Sequence, residues 1–146
     1  MRAVIQRVKW GRVKVNGKVV GEIKKGLVIL LGVSVDDNEE NVGYLADKCV
    51  NLRIFNDSEG KMNLSVLDVS GEILSISQFT LYADTRKGRR PSFVGAADPI
   101  KGEKLYEKFN QCLSDTGLKI QTGIFGAMME VELLNDGPVT IIVDSK

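Results

Sequence analysis

Apolar and polar residues alternate over residues 2–8 and again over 12–15, the two-residue period of a strand with one buried face. Asn16-Gly17 follows, a pair that tolerates the positive φ needed at both central positions of a tight hairpin turn, so a returning strand is expected through Val19, Val20 and Ile23. Leu27-Val28-Ile29-Leu30-Leu31 is apolar at every position and short, which suits a central strand covered on both faces. Over residues 39–55 the period changes. Val42, Leu45, Ala46, Cys49, Val50 and Leu52 recur at helical spacing behind an acidic start that suits the positive end of a helix dipole.

A turn through Asn56-Asp57-Ser58-Glu59-Gly60 leads to Asn63-Leu64-Ser65-Val66. Residues 72–82 then read as one long strand, with Ile73, Ser75 and Ser77 on the face opposite Leu74 and Ile76. Asp98-Pro99 is a helix start, a capping carboxylate ahead of a proline at the first helical position. Leu105, Tyr106, Phe109, Cys112 and Leu113 form that helix's buried stripe, and Gly117 closes it. Three more strands are expected at 119–124, 127–134 and 139–143, the last two separated by a turn at Asn135-Asp136-Gly137-Pro138. Many strands and two helices make an α+β fold, with a strongly curved, mostly antiparallel sheet or open β-barrel. At 146 residues the chain suits a single domain over 1–146.

A composition of 43% hydrophobic and 27% charged residues belongs to a folded protein rather than a disordered one. The longest apolar run, residues 26–35, is broken by Gly32 and Ser34 and is too short for a bilayer, so no membrane partner is expected. The first residues alternate rather than forming an apolar signal core, which makes the cytoplasm the default compartment. Cys49 and Cys112 lie far apart in the two predicted helices and read as buried thiols, not as a disulfide or ligands. A net charge of +1 argues against a broad cationic coat for duplex nucleic acid and leaves room for gripping one strand end. The chain has no histidine, which removes Ser-His-Asp and Cys-His catalysis and the commonest zinc ligand. No metal and no cofactor are expected.

Three segments carry candidate chemistry, each beside a plain alternative. Asp84-Thr85-Arg86-Lys87-Gly88-Arg89-Arg90-Pro91-Ser92-Phe93 gathers four cations without periodicity, which suits contact with phosphates or an ordinary solvated loop. Ser77-Gln78-Phe79-Thr80 places two hydroxyls and an amide at a strand end. A nucleophile there needs a base other than histidine, and alternating Ser and Thr in strands also arise from β-propensity alone. Gly137-Pro138 is either a plain turn or a cis bond that aims neighbouring carbonyls at whatever lies beside the loop.

Together these segments closely resemble the D-aminoacyl-tRNA deacylase family of the bacterial and eukaryotic type. The resemblance runs nearly end to end: Arg2-Ala3-Val4-Ile5-Gln6-Arg7-Val8, Gly60-Lys61-Met62-Asn63-Leu64-Ser65-Val66, Ser77-Gln78-Phe79-Thr80-Leu81-Tyr82-Ala83-Asp84, Gly123-Ile124-Phe125-Gly126-Ala127-Met128-Met129 and Asn135-Asp136-Gly137-Pro138-Val139-Thr140. One departure is visible at Gly11-Arg12, beside Trp10, where many relatives carry a small pair.

The resemblance implies a homodimer acting on the CCA end of aminoacyl-tRNA, with each active site built across the interface. Ser77, Gln78, Phe79 and Thr80 of one subunit would face a cis Gly137-Pro138 of the other, whose carbonyls exclude an L side chain while glycine escapes the filter. Arg7 matches the position that holds the Gly-Pro loop. Phe125 and Met129 are the residues expected at the terminal adenosine. An aminoacyl ester is already activated and its ribose 2′-hydroxyl can assist. The resemblance therefore implies that residues 77–80 contribute backbone donors near Gln78 and Phe79, with Thr80 a candidate nucleophile rather than the default. Two other classes stay open: a non-catalytic nucleic-acid-binding protein using residues 86–90, and a covalent Ser or Thr esterase.

Overall fold

The computed structural model describes residues 1–145. Its elements are β1 (Arg2–Val15), β2 (Lys18–Ile23), β3 (Gly26–Gly32), α1 (Glu39–Asn51), β4 (Phe55–Asn56), β5 (Met62–Leu64), β6 (Glu72–Ser77), a 3₁₀ turn (Phe79–Tyr82), α2 (Pro99–Ser114), β7 (Ile120–Thr122) and β8 (Glu130–Asp144). The two alternating stretches at the N-terminus are one continuous strand. Asn16 and Gly17 make the expected turn after it, with φ of +50° and +76°.

The main sheet runs β2-β1-β3-β6-β7, and β8 pairs with β1. The pairings of β1 with β2, β3 and β8 are antiparallel, whereas β3–β6 and β6–β7 are parallel. The sheet is therefore more mixed than the alternation suggested. Each parallel pair is spanned by a helix, α1 between β3 and β6 and α2 between β6 and β7, because parallel neighbours need a long crossover.

Those crossovers put both helices on one face of the sheet, and the strands divide their side chains accordingly. Leu27, Ile29, Leu31 and Ile73 pack in a core with Leu45, Cys49, Phe109 and Leu113 of the helices. Val28, Leu74 and Ile76 point the other way, into a smaller cluster with Val8, Val13 and Ile23. This explains why β3 is apolar throughout: both of its faces are buried. The small cluster exists because the sheet curls. A methyl added at Gly21 of β2 would meet the Thr122 carbonyl of β7 at 2.8 Å, so the two ends of the strand order approach each other in a nearly closed barrel.

Helix ends follow local chemistry. Asn38 and Asn41 form a capping box at α1, and the Asp98 carboxylate accepts from the Ile100 and Lys101 amides at α2. Helix α1 stops at Asn51, short of the expected residue 55, because Leu52 turns to extended backbone and Phe55 starts β4. The strand expected over 72–82 ends at Ser77, where the chain tightens into the 3₁₀ turn. At Gly11, the departure noted in the sequence, an added methyl would lie 2.7 Å from Val28 Cγ2, and glycine relieves that crowding.

The expected turn at residues 135–138 is not a hairpin. Residues 130–144 form one strand whose two halves both pair with β1, and the register jumps from Val8↔Asn135 to Gln6↔Thr140. Between these pairs one residue of β1, Arg7, faces four of β8, and the surplus is extruded as a bulged loop. The Asn135 side chain closes it, its Oδ1 accepting from the Val139 amide at 2.8 Å.

Two glycines give opposite expectations. A methyl at Gly26 would sit 1.8 Å from the Glu72 carbonyl oxygen, against backbone of the parallel partner strand, while Gly43 on the exposed face of α1 has nothing within 4 Å. Gly26→Ala should lower stability by roughly 4 kcal/mol or more, and Gly43→Ala should raise it by about 0.5–1 kcal/mol. Urea midpoints of the two variants check this; equal midpoints would contradict the strand register.

Candidate functional site

A cleft of about 740 Å³ opens where β6 ends. Its walls come from three stretches: Ser77, Gln78, Phe79 and Thr80 after β6, the start of α2 with Asp98, Gly102 and Tyr106, and residues 125–129 before β8. Phe93 completes the rim, its ring edge-on to Phe79 at 5.1 Å. The lining is mostly apolar with a few hydroxyl and amide groups, the usual character of a small-molecule pocket. Glycines make room for it. A methyl at Gly102 would touch the Phe125 ring at 3.4 Å, and one at Gly123 would lie 2.4 Å from the Met129 sulfur.

Tyr106 links wall and core. Its hydroxyl donates to the Ser75 carbonyl at 2.8 Å, its ring lies 5.9 Å from that of Phe125, and burial pushes its phenol above the usual pKa. It is therefore a neutral group throughout the physiological range.

Polar groups at the strand end divide into spent and free. The Gln78 amide N–H, expected as an oxyanion donor, donates instead to the Leu31 carbonyl at 2.7 Å and closes the sheet there. The Phe79 and Thr80 amides open the 3₁₀ turn, where the first N–H groups lack an intrahelical acceptor. Both belong to residues that line the cleft, and neither amide donates to another of the described residues. The Gln78 side-chain amide donates to Thr80 Oγ1, which occupies a lone pair of that hydroxyl. The Ser77 hydroxyl has no partner among the described residues. Among the described residues no lysine lines the cleft and the one carboxylate, Asp98, is engaged in capping α2, so neither hydroxyl has a base among them.

Arg7, Gly137 and Pro138 form a second place in the fold, absent from the walls of that cleft within one chain. The Gly137-Pro138 peptide is cis and Gly137 has φ of +137°, in the region reserved for glycine. Arg7, although charged, is only 8% exposed. From β1 its Nε donates to the Asp136 carbonyl at 2.9 Å, and its Nη1 donates to the Ile54 carbonyl at 2.6 Å and to Asn56 Oδ1 at 3.3 Å. One guanidinium thereby ties the bulged loop to the segment after α1.

The structure thus gathers six of the expected site residues, Ser77, Gln78, Phe79, Thr80, Phe125 and Met129, around one cleft and sets the other three apart. Sequence reasoning missed Phe93 and Tyr106 as wall residues. Tyr106 carried only the signal of a helix's buried stripe, and Phe93 closed the basic segment without any pattern of its own. Among the described residues no three Cys, Asp or Glu side chains gather in a metal-ligating group, and no helix is long and apolar enough to cross a membrane.

A family model described as D-Tyr-tRNA(Tyr) deacylase matches residues 4–144. A relative from Desulfatibacillum aliphaticivorans named D-aminoacyl-tRNA deacylase is 64% identical over 146 residues, covering the whole of both chains. The solved structure described as c-Myc DNA Unwinding Element Binding Protein superposes with a TM-score of 0.94 at 41% identity, over 100% of this chain and 99% of that one. A second, described as a probable eukaryotic D-amino acid tRNA deacylase, superposes with a TM-score of 0.86 at 19% identity over 98% of each, a likeness of fold.

Removing the Arg7 fork would orphan the Ile54 carbonyl and release the bulged loop. Arg7→Leu should cost roughly 2–3 kcal/mol, and Arg7→Lys should recover little, since one ammonium cannot span acceptors on two segments. Denaturant unfolding measures both; full recovery by lysine would refute the clamp.

Proposed function

The chain belongs to the D-Tyr-tRNA(Tyr) deacylase family and is a D-aminoacyl-tRNA deacylase, and on that premise we propose that its cleft hydrolyses the ester with main-chain donors and without a covalent intermediate. The observation that carries this reading is the pair of uncommitted amides at Phe79 and Thr80, beside two hydroxyls that have no base. Water adds to the ester carbonyl, the resulting oxyanion takes the two N–H groups, and collapse expels the 3′-oxygen of the terminal ribose with a proton. The neighbouring 2′-hydroxyl directs the water, a task that needs no histidine. Gln78 keeps Thr80 turned toward the substrate by the hydrogen bond to its hydroxyl.

The terminal adenosine lies along the Phe125 and Met129 wall, where a ring that packs beside Tyr106 and a flexible thioether suit an adenine face. Chiral selection belongs to a second copy of the chain. Gly137 and Pro138 are absent from the wall of their own subunit's cleft, which supports an arrangement in which the loop enters the partner's cleft in a homodimer. Its main-chain carbonyls collide with an L side chain, pass a D side chain directed elsewhere, and find nothing to reject in glycine. Carbonyls do not read side-chain identity, so many D-amino acids share one site. Arg7 is a positioning residue for this filter.

Three outcomes test the proposal. D-Tyr-tRNA should be deacylated at least about a hundredfold faster than L-Tyr-tRNA, a clash of roughly 3 kcal/mol; comparable rates would sink it. Ser77→Ala and Thr80→Ala should each keep kcat within about tenfold, against the thousandfold or greater loss a nucleophile shows, while a terminal 2′-deoxyadenosine should slow turnover sharply. Arg7→Ala should narrow the D-to-L ratio of kcat/KM more than it lowers the D rate.

A further inference from the structure

The basic segment 84–92 is left without a task by the ester chemistry. Asp84 and Ser92 close it as a loop through paired backbone hydrogen bonds of 2.7 and 3.0 Å, with Gly88 at φ +68° near its tip. It carries four cations and one carboxylate. The remainder of the chain holds sixteen cations against eighteen carboxylates, so the positive charge of the whole molecule resides in this one loop.

Its cations are not equivalent. Arg86 is spent on a two-pronged pair with Asp84, Nε to Oδ1 at 2.9 Å and Nη2 to Oδ2 at 2.7 Å, and this pairing holds the Asp84 carboxyl down to about 2. That pair braces the loop's base. Lys87, Arg89 and Arg90 are exposed and make no hydrogen bond or ion pair with the described residues. Three unpartnered cations without a carboxylate among them attract a polyanion and offer nothing to an apolar partner.

Chain connectivity places them. The loop leaves the 3₁₀ turn just beyond Phe79 and Thr80 and returns into Phe93 and Ala96, all four of them wall residues of the cleft. It therefore begins and ends at the wall of the cleft, beside its rim. The charge is confined to a patch the size of a few phosphates, which fits one stretch of backbone continuous with a bound 3′ end and does not fit a coat for long duplexes.

We propose that Lys87, Arg89 and Arg90 grip the acceptor-stem phosphates of the same tRNA whose aminoacylated end occupies the cleft. This rests on the deacylase reading above and adds to it a second contact, by which the enzyme distinguishes a whole tRNA from a short ester. The contact is electrostatic and uniform over sequence. It raises affinity and leaves the chemical step alone.

The test is the triple variant Lys87→Ala, Arg89→Ala, Arg90→Ala, whose exposed positions leave folding intact as read by thermal unfolding. Steady-state kinetics on D-Tyr-tRNA across a salt series should show KM raised about tenfold or more, kcat unchanged, and the slope of log affinity against log salt shallower by about 2–3, near one per lost phosphate contact. A D-tyrosyl ester of the CCA trinucleotide, which lacks the stem, should be cleaved by both proteins with the same KM. Binding of uncharged tRNA, followed by fluorescence anisotropy, should weaken in parallel. Equal tRNA binding and equal salt slopes in parent and variant would overturn the proposal, as would an equal loss on the trinucleotide ester or equal affinity of the parent for a DNA duplex of the stem's length. Absence of D-Tyr-tRNA hydrolysis by the parent would instead overturn the reading of the cleft, and the anisotropy comparison would still decide the loop.

Discussion

A strand has two hydrogen-bonding edges, and β1 has three neighbours. It satisfies them by dividing one edge, pairing residues 2–8 with β3 and residues 11–15 with β2, while the other edge runs along β8 for nearly its whole length. The change of partner between Val8 and Gly11 obliges the sheet to fold over itself, with Gly11 pressed against Val28 at the crease. Everything else follows from that crease. It separates the two apolar clusters and brings β2 toward β7. Because β8 must track β1 past the same point, it also obliges β8 to shed its surplus residues as the 135–138 bulge.

Elements whose causes are local were legible in the residues. Asn16-Gly17 makes its turn because both residues tolerate positive φ, and Asp98-Pro99 starts its helix because cap and proline act within one turn. The apolar run 27–31 is central because no other placement buries both of its faces. What escaped was decided at a distance. Asp136-Gly137-Pro138 satisfies the chemistry of a hairpin turn as well as that of a bulge, and only the presence of β1 beside both flanks selects the bulge. Likewise the strand at 72–77 ends where its partner does: the Gln78 amide makes the last bond, to Leu31, and β3 stops at Gly32, although no residue in 78–82 refuses extended structure.

The site was legible unevenly, for the same reason. Resemblance located Ser77, Gln78, Phe79 and Thr80, and the cleft forms around them, but which amides are free depends on partners the local sequence does not name. The Gln78 amide is consumed by the sheet, and the opening of a 3₁₀ turn exposes the next two. In a chain without histidine, the uncommitted donors at this polar strand end belong to the backbone. Tyr106, Phe93 and the glycines at 102 and 123 shape the surrounding walls through packing alone.

The Arg7 guanidinium, carried on β1, reaches two stretches far apart in sequence, the segment after α1 and the bulged loop. Such a loop resembles a lever resting on one fulcrum. Its main-chain atoms are common to every amino acid, so a change of side chain within the loop alters their chemistry little. The loop's placement instead hangs on the fulcrum, where a single buried fork joins it to the segment after α1.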